Sequence, residues 1–354
     1  MSVKEVMNRE LWNKLVLSSK YASPTHFFSN ADHHIKISVD GETYIVAFRE
    51  MRAYGTNMLL SYGTRMDGGL VPLISFNNLN KCISYLITYL KEKGYDVFNL
   101  TLKRYYLRKY IDKVVELISS LSKYKVSLYA RILLLNNDFD YIWRFKFNKK
   151  ARNLVRKFKR LGGYVQVLDN PLDYVDEIME INLSKTFRQG RYLPPTYTNR
   201  KLVIENLKLS LEEKGESLRI YGAFIGNKLT AYAYIVEHNG YAYVSRFLAH
   251  ASYFKHAVSN GLISEIIEDL CHRNVKILQY GYWSRHHTGV NHFLRQHGFI
   301  GGKVEAYYIP LSCKGSIVLK FLSMRDKVKE SKVGDGFRRI QMIRSLYHKL
   351  MPRA

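Results

Sequence analysis

Eight basic residues, Lys146, Lys149, Lys150, Arg152, Arg156, Lys157, Lys159 and Arg160, fall within the stretch "FKFNKKARNLVRKFKRLGG" from Phe145 to Gly163, and no acid occurs between Asp140 and Asp169. Cations at that density neutralise phosphates. Lys149, Arg152, Arg156 and Arg160 are therefore candidate nucleic-acid contacts that would grip a backbone without reading bases. A second cluster, His286, His287, His292 and His297 in "SRHHTGVNHFLRQHGF", offers imidazoles but no carboxylate or cysteine among them. The five-residue step from His292 to His297 sends those rings to different sides of a helix, so no metal site is expected. The chain shows no nucleophile signature, no GxGxxG beside a strand, no P-loop and no paired carboxylates.

The rest of the composition narrows the class. The 354 residues are 47% hydrophobic and 14% aromatic, enough for a packed core and for two domains. The net charge of +25 favours polyanionic partners: nucleic acid, phosphorylated ligands, or an anionic membrane surface. Three widely spaced cysteines, Cys82, Cys271 and Cys313, suggest neither a disulfide framework nor a zinc site. The segment "MSVKEVMNRELWNKL" lacks the apolar run of a signal peptide, and no transmembrane segment is expected, so the reading is a cytoplasmic protein open to peripheral membrane contact.

Several elements must position these residues. After a short helix near Leu11 to Ser18, "HIKISVDGETYIVAFREM" alternates on both sides of Asp40-Gly41 and predicts a hairpin. "NMLLSYG" predicts a strand. Cys82, Ile83, Leu86, Ile87 and Leu90 then predict one face of a helix ended by Gly94, and "DVFNLTL" returns to strand. The second half repeats this order: strands turning at Gly226-Asn227 and Asn239-Gly240, then helix and strand in "SNGLISEIIEDLCHRNVKILQYG". An offset of 180 residues lays Asn80 on Asn260, Ile83 on Ile263, Ser84 on Ser264, Ile87 on Ile267, Leu90 on Leu270 and Phe98 on Leu278. The period is too long for a solenoid and predicts a tandem domain.

The expected domains are 1–148 and 149–310, the second opened by the basic helix. A basic amphipathic helical tail, 311–354, is expected to dock on the N-terminal domain. In the opening helix Ala151, Leu154, Val155, Phe158 and Leu161 recur at steps of three and four, so the cations occupy the remaining faces.

This order, given twice, resembles the Fem family of aminoacyl and acyl transferases. Trp12 followed by "SSKYASPTHFFS" resembles the family's opening segment, and "KKARNLVRKFKRLGGYVQV" its basic helix running into a strand. "KTFRQGRY" is similar to its Thr-x-x-Arg turn, "YAYVSRFLAH" to its aromatic fourth strand, and "GVNHFLRQHGFIGGKVEAYY" to its closing Phe-Lys-x-x-Phe-Gly segment. The resemblance covers nearly the whole chain and implies an α/β (α+β) fold of two tandem GNAT-like N-acyltransferase domains with a helical C-terminal tail. Two departures accompany it. Leu294 follows Phe293 where members often carry a lysine, and "HASYFKHAVSNG" replaces the glycine-rich pyrophosphate loop.

What the resemblance implies is an N-acyltransferase, moving an aminoacyl or acyl group to a primary amine of an acceptor bound between the domains. The acceptor class includes phosphorylated and lipid-linked amines. The donor is aminoacyl-tRNA or acyl-CoA, and no cofactor is tightly bound. Arg188 and Tyr192 would face the acceptor, and Arg295, beside Leu294, is a further substrate-binding candidate. Tyr243 on the fourth strand could donate a hydrogen bond to the reacting carbonyl, and His250 just past it is the best-placed base, with no carboxylate in sight to orient it. The alternatives are a catalytically inactive tRNA or nucleic-acid binding protein, and a peripheral membrane protein recruited by its basic tail.

Overall fold

A computed structural model describes residues 2–27, 31–61, 71–73, 75–103, 111–136, 138–188, 191–283 and 287–330. The first half runs β1 (Ser2–Glu5), α1 (Arg9–Ser18), β2 (His33–Val39), β3 (Glu42–Ala53), β4 (Thr56–Leu60), β5 (Val71–Pro72), α2 (Leu79–Glu92), β6 (Val97–Lys103), α3 (Ile111–Leu121) and β7 (Tyr124–Leu134). The second runs α4 (Phe139–Tyr141), α5 (Lys149–Arg160), β8 (Gly163–Val167), α6 (Val175–Leu183), β9 (Phe187–Arg188), β10 (Arg191–Tyr192), α7 (Pro195–Thr198), α8 (Arg200–Lys214), β11 (Leu218–Ile225), β12 (Lys228–His238), β13 (Tyr241–Ala249), α9 (Val258–His272), β14 (Ile277–Tyr282), α10 (Thr288–Gln296) and β15 (Ile300–Pro310). The helix α11 (Cys313–Glu330) follows.

The two hairpins β2–β3 and β12–β13 turn at Asp40-Gly41 and Asn239-Gly240, where both residues of each pair take positive φ. That geometry matches the twist of the flanking strands, which is why Asp-Gly and Asn-Gly stand there. Each half then places a helix between two parallel strands. β4 pairs parallel with β6, α2 joining them, and β13 pairs parallel with β14 through α9. The protein is thus a tandem of two GNAT-like units.

The units are not separate in the sheet. Its strand order is β1-β2-β3-β4-β6-β15-β7-β14-β13-β12-β11-β8, with β5 pairing β3. β7, from the first half, pairs with β14 of the second, and β15, from the second half, pairs with β6 of the first. β7 and β15 pair with each other along nine residues, from Tyr124↔Tyr308 to Ile132↔Ile300. The division of the chain near residue 148 therefore does not divide the sheet: each half contributes its last strand to the other.

Helix α5 carries a buried stripe of Ala151, Val155 and Phe158, and Asn148 caps it by accepting from the Ala151 N–H at 2.8 Å. Leu161 is exposed because the helix ends at Arg160. Phe158 is the contact that seats α5. A Cβ built on Gly261 of α9 would stand 2.1 Å from its ring, and one built on Gly163 would stand 2.3 Å away. The two glycines let the ring touch both backbones. Helix α11 packs Leu319 and Leu322 against Met58, Val97, Ala306 and Tyr308, so it rests on strands from both halves. The second basic tail segment around Ile340 to Leu350 lies outside the described residues. Among the described residues no helix is long and apolar enough to cross a membrane.

Candidate active site

The parallel pairing of β13 with β14 ends at Tyr243↔Gln279. Beyond it β13 runs on to Ala249 beside β12 alone, while β14 continues beside β7. The strands splay, and a cleft of about 600 Å³ opens on the α9 side. Its wall includes Phe247 and Ala249 of β13, Tyr280 of β14, and Ala257, Ser259 and Asn260 at the start of α9. Phe254, Lys185, Arg188, His287 and the first turn of α10 complete it. No acid lines this cleft among the described residues, whereas two cations and a helix N-terminus do. The combination favours an anionic group beside an apolar floor.

In the first half a carboxylate of the protein itself stands at the start of α2, the counterpart of α9. There the Glu42 carboxylate accepts from the Asn78 N–H at the start of α2 (3.1 Å), from the Tyr44 hydroxyl (2.9 Å) and from the Ser75 hydroxyl. Burial alone would raise the Glu42 pKa, but the hydrogen bonds from Ser75, Tyr44 and Asn78 outweigh it and hold the carboxyl below its ordinary value. The neighbouring cavity, about 800 Å³, is also lined by Glu116. A negative charge sits where an anionic donor would need none. Both cavities are lined by the start of a helix, and among the described residues it is the second-half cleft that has no acid in its wall.

The candidate residues divide sharply. Arg188 lines the cleft, but its Nε donates to the Lys185 carbonyl (2.7 Å), Nη1 to that of Ala249 (3.2 Å) and Nη2 to that of Ile181 (3.1 Å). It ties the end of α6 to the end of β13. Tyr192, in contrast, is 74% exposed on the β9–β10 hairpin and touches Phe187 rather than the cleft. Arg295 is exposed and lies over the Trp283 ring at 4.9 Å, outside the cleft. Leu294 is fully buried in the core between α9 and the sheet, so a charged side chain at that position would not reach the cleft.

Two expectations are corrected. Tyr243 does not face the cleft: it packs with Tyr241, Ala130, Ile132, Ile277 and Val304 on the opposite side of the sheet. His250 does have a carboxylate neighbour, Glu180 of α6, whose Oε1 lies 3.7 Å from Nε2 and accepts from Lys228 at 2.6 Å. The Nδ1 of His250 accepts from the Ser252 N–H at 3.2 Å, capping the turn 251–256. Its proton then resides on Nε2, toward Glu180. So held, the ring has no free lone pair to act as a base.

The histidine cluster disperses in the same way. His297 is buried, with Nδ1 on the Phe293 carbonyl (2.8 Å), and burial pushes its pKa down to about 4. His292 pairs with Gln296, and His287 alone of the described three lines the cleft. His286 lies outside the described residues. Among those residues no group of three or more His, Cys, Asp or Glu side chains is placed to hold a metal ion.

On the basic helix, Lys149 and Arg160 are exposed, and Arg156 lies 5.7 Å from the Trp143 ring. Lys159 pairs at 2.7 Å with Glu265 of α9. Arg152 is different again. Its Nη1 donates to the carbonyls of Phe147 (2.6 Å), Arg144 (3.0 Å) and Trp143 (3.2 Å), closing the π-helical turn before α5. Arg152→Ala is therefore expected to lose about 1 to 3 kcal/mol of stability, since three carbonyls lose a charged donor. Lys149→Ala and Arg160→Ala should each move it by less than about 0.5 kcal/mol. Urea unfolding of the three variants checks this, and equal losses would refute the distinction.

Residues 146–288 match the protein family described as acetyltransferase (GNAT) domain. No curated protein matches the chain in sequence. Solved structures do match in fold. FemX aligns with a TM-score of 0.57 at 11% identity, covering 86% of this chain and 97% of its own. L-PGS from Bacillus licheniformis aligns with a TM-score of 0.54 at 13% identity, covering 87% and 94%. A conserved protein of unknown function from Bacteroides thetaiotaomicron VPI-5482 gives a TM-score of 0.54 at 13% identity, covering 88% and 100%. The likeness to the Fem type is thus one of fold along most of the chain, and that of the second half also extends to a GNAT family pattern.

Proposed function

We propose that the protein is an N-acyltransferase that moves an aminoacyl group from an aminoacyl-tRNA to a primary amine held between its two halves. The observation that carries this reading is the splay of β13 from β14 with the N-terminus of α9 at its mouth. In such a cleft an acyl carbonyl lies against a strand edge whose N–H groups are not taken by the neighbouring strand. The amine nitrogen attacks that carbonyl, a C–N bond forms, and the ester C–O bond to the ribose breaks. The proton lost by the amine ends on the leaving oxygen directly or through water. Catalysis of this kind relies on placement of two reactants more than on a side-chain nucleophile.

The preference for tRNA over coenzyme A rests on charge and on the turn at 251–256. Lys149, Lys150, Lys157 and Arg160 present an exposed basic face on α5, the helix packed against α9. Phe254 occupies part of the cleft wall where a glycine-rich loop would bring backbone close to a pyrophosphate. Carbon-14-labelled aminoacyl-tRNA and labelled acetyl-coenzyme A, each offered with L-lysine, ethanolamine and glucosamine as probe amines, test the proposal. Label is expected to pass from tRNA to an amine. Transfer from acetyl-coenzyme A alone would reverse the donor, and tRNA binding with transfer from neither would leave a binding protein.

A further inference from the structure

The β12–β13 ladder slips by one residue between Tyr234 and Ile235, which pair with Arg246 and Val244 and leave Ser245 out of register. The slip turns Arg246 to the Tyr243 side of the sheet, opposite Tyr234. There the side chain is only 9% exposed. Its guanidinium carbon lies 4.4 Å from the Tyr197 ring and 5.3 Å from the Tyr234 ring, and the groups acting on it are the phenols of Tyr197, Tyr232 and Tyr234. No carboxylate pairs with it among the described residues. The cage is braced: the Tyr232 hydroxyl donates to Asn182 Oδ1 at 2.7 Å, and Asn182 Nδ2 donates to the Tyr197 carbonyl at 2.8 Å. The Tyr234 hydroxyl is enclosed beside the Arg246 guanidinium, which hydrogen-bonds to the phenols around it.

A second buried cation lies nearby. Arg131 of β7 donates to Asn291 Oδ1 (3.0 Å) and to the Tyr280 carbonyl (3.4 Å), and its Nη2 lies 3.4 Å from His287 Nδ1, none of them a carboxylate. Tyr280, which lines the donor cleft, feels both Arg131 and Tyr197. The arginine cage and the cleft therefore approach each other from opposite faces at the splay. Withdrawing a guanidinium from water costs more than contacts with neutral phenols return, so one without a carboxylate partner is a poor structural device. A planar fork of donors beside a phenol hydroxyl suits a planar anion with two oxygens.

We propose that Arg246, with the Tyr234 hydroxyl, binds a carboxylate of the substrate. That this substrate is the amine acceptor rests on the acyltransferase reading. Arg246 lies on the side of the sheet where Trp12 and Phe27 of the first half pack with Tyr232, Tyr234 and Leu248, and the donor cleft is on the other. The acceptor class is accordingly an amine that also carries a carboxylate.

The test uses full-length protein labelled with nitrogen-15 arginine, titrated at constant ionic strength with sodium acetate, acetamide and inorganic phosphate. The Arg246 Nε–H resonance is assigned through Arg246→Met. Acetate should shift it saturably, acetamide should not, and Arg246→Met should weaken acetate binding by about tenfold to a hundredfold. The same variant should melt no lower than wild type, because a buried charge without a carboxylate partner has been replaced by a side chain of similar volume. A lowered melting temperature with no acetate response would make Arg246 a structural cation and overturn the proposal, as would equal shifts by acetamide. A response to phosphate alone would overturn the carboxylate assignment. Acyl transfer in a protein whose Arg246 ignores acetate would refute this inference and keep the acyltransferase reading, and acetate binding without transfer would do the reverse.

Discussion

Phe158→Ala is expected to lower unfolding free energy by about 3 to 5 kcal/mol, the range for removing a fully buried aromatic ring from a core that cannot close over the gap. The ring is held by two backbones at once, Gly163 of β8 and Gly261 of α9, and neither can advance far without pulling on the sheet. Gly261→Ala should destabilise by about 1 to 3 kcal/mol for the opposite reason, since the added methyl overlaps the ring. The two effects must not add. In Phe158→Ala the methyl of Gly261→Ala enters space the ring has left, so the double variant should be more stable than the sum of its parts predicts, by roughly 0.5 to 3 kcal/mol. Equilibrium denaturation of the four proteins decides it. Strict additivity, or a loss under about 1 kcal/mol for Phe158→Ala, would mean that this ring does not seat α5 on α9. The functional consequence follows from position, because the N-terminus of α9 lines the cleft and its placement depends on that contact.

Gly289→Trp is expected to reduce kcat/KM for acyl transfer by about a hundredfold or more, a change of about 2.7 kcal/mol in the barrier. Gly289 lies in the first turn of α10 on the cleft wall, and a Cβ built there meets no atom within 4 Å. The indole thus has room to enter the cleft without displacing the core. Folding should be nearly untouched, within about 0.5 kcal/mol. Gly289→Ala serves as the control and should retain activity. Undiminished transfer by the tryptophan variant, with an unchanged melt, would place the acyl group somewhere other than this cleft. A matching fall in stability and activity would instead indicate that α10 has moved.

Much of the architecture was legible in the sequence because it is written in local terms. Period-two runs bracket Asp40-Gly41 and Asn239-Gly240, and two helices with matched apolar positions each lead into a buried strand. Those features depend on residues within one element or the next, and they sufficed for a tandem α/β fold, while the GNAT type came from the resemblance to the Fem family. The basic face of α5 was equally legible, since a helix sorts its own side chains.

What only the tertiary structure decided concerns residues that meet across elements. The exchange of β7 and β15 joins strands whose partners are more than 140 residues apart (Leu133 with Leu278, for instance), and nothing local distinguishes a strand that stays in its own half. Glu180 reaches His250 from α6, so the histidine's tautomer was beyond the reach of neighbouring residues in the chain. Arg152 looked like its basic neighbours until the π-helical turn laid three carbonyls beneath it. Strict alternation along β13 would put Arg246 with Ala242 and Val244, facing α9. A single bulged residue, Ser245, sends it to the other face with Tyr243, because side chains in a strand repeat every two residues and one extra residue exchanges the faces for everything beyond it.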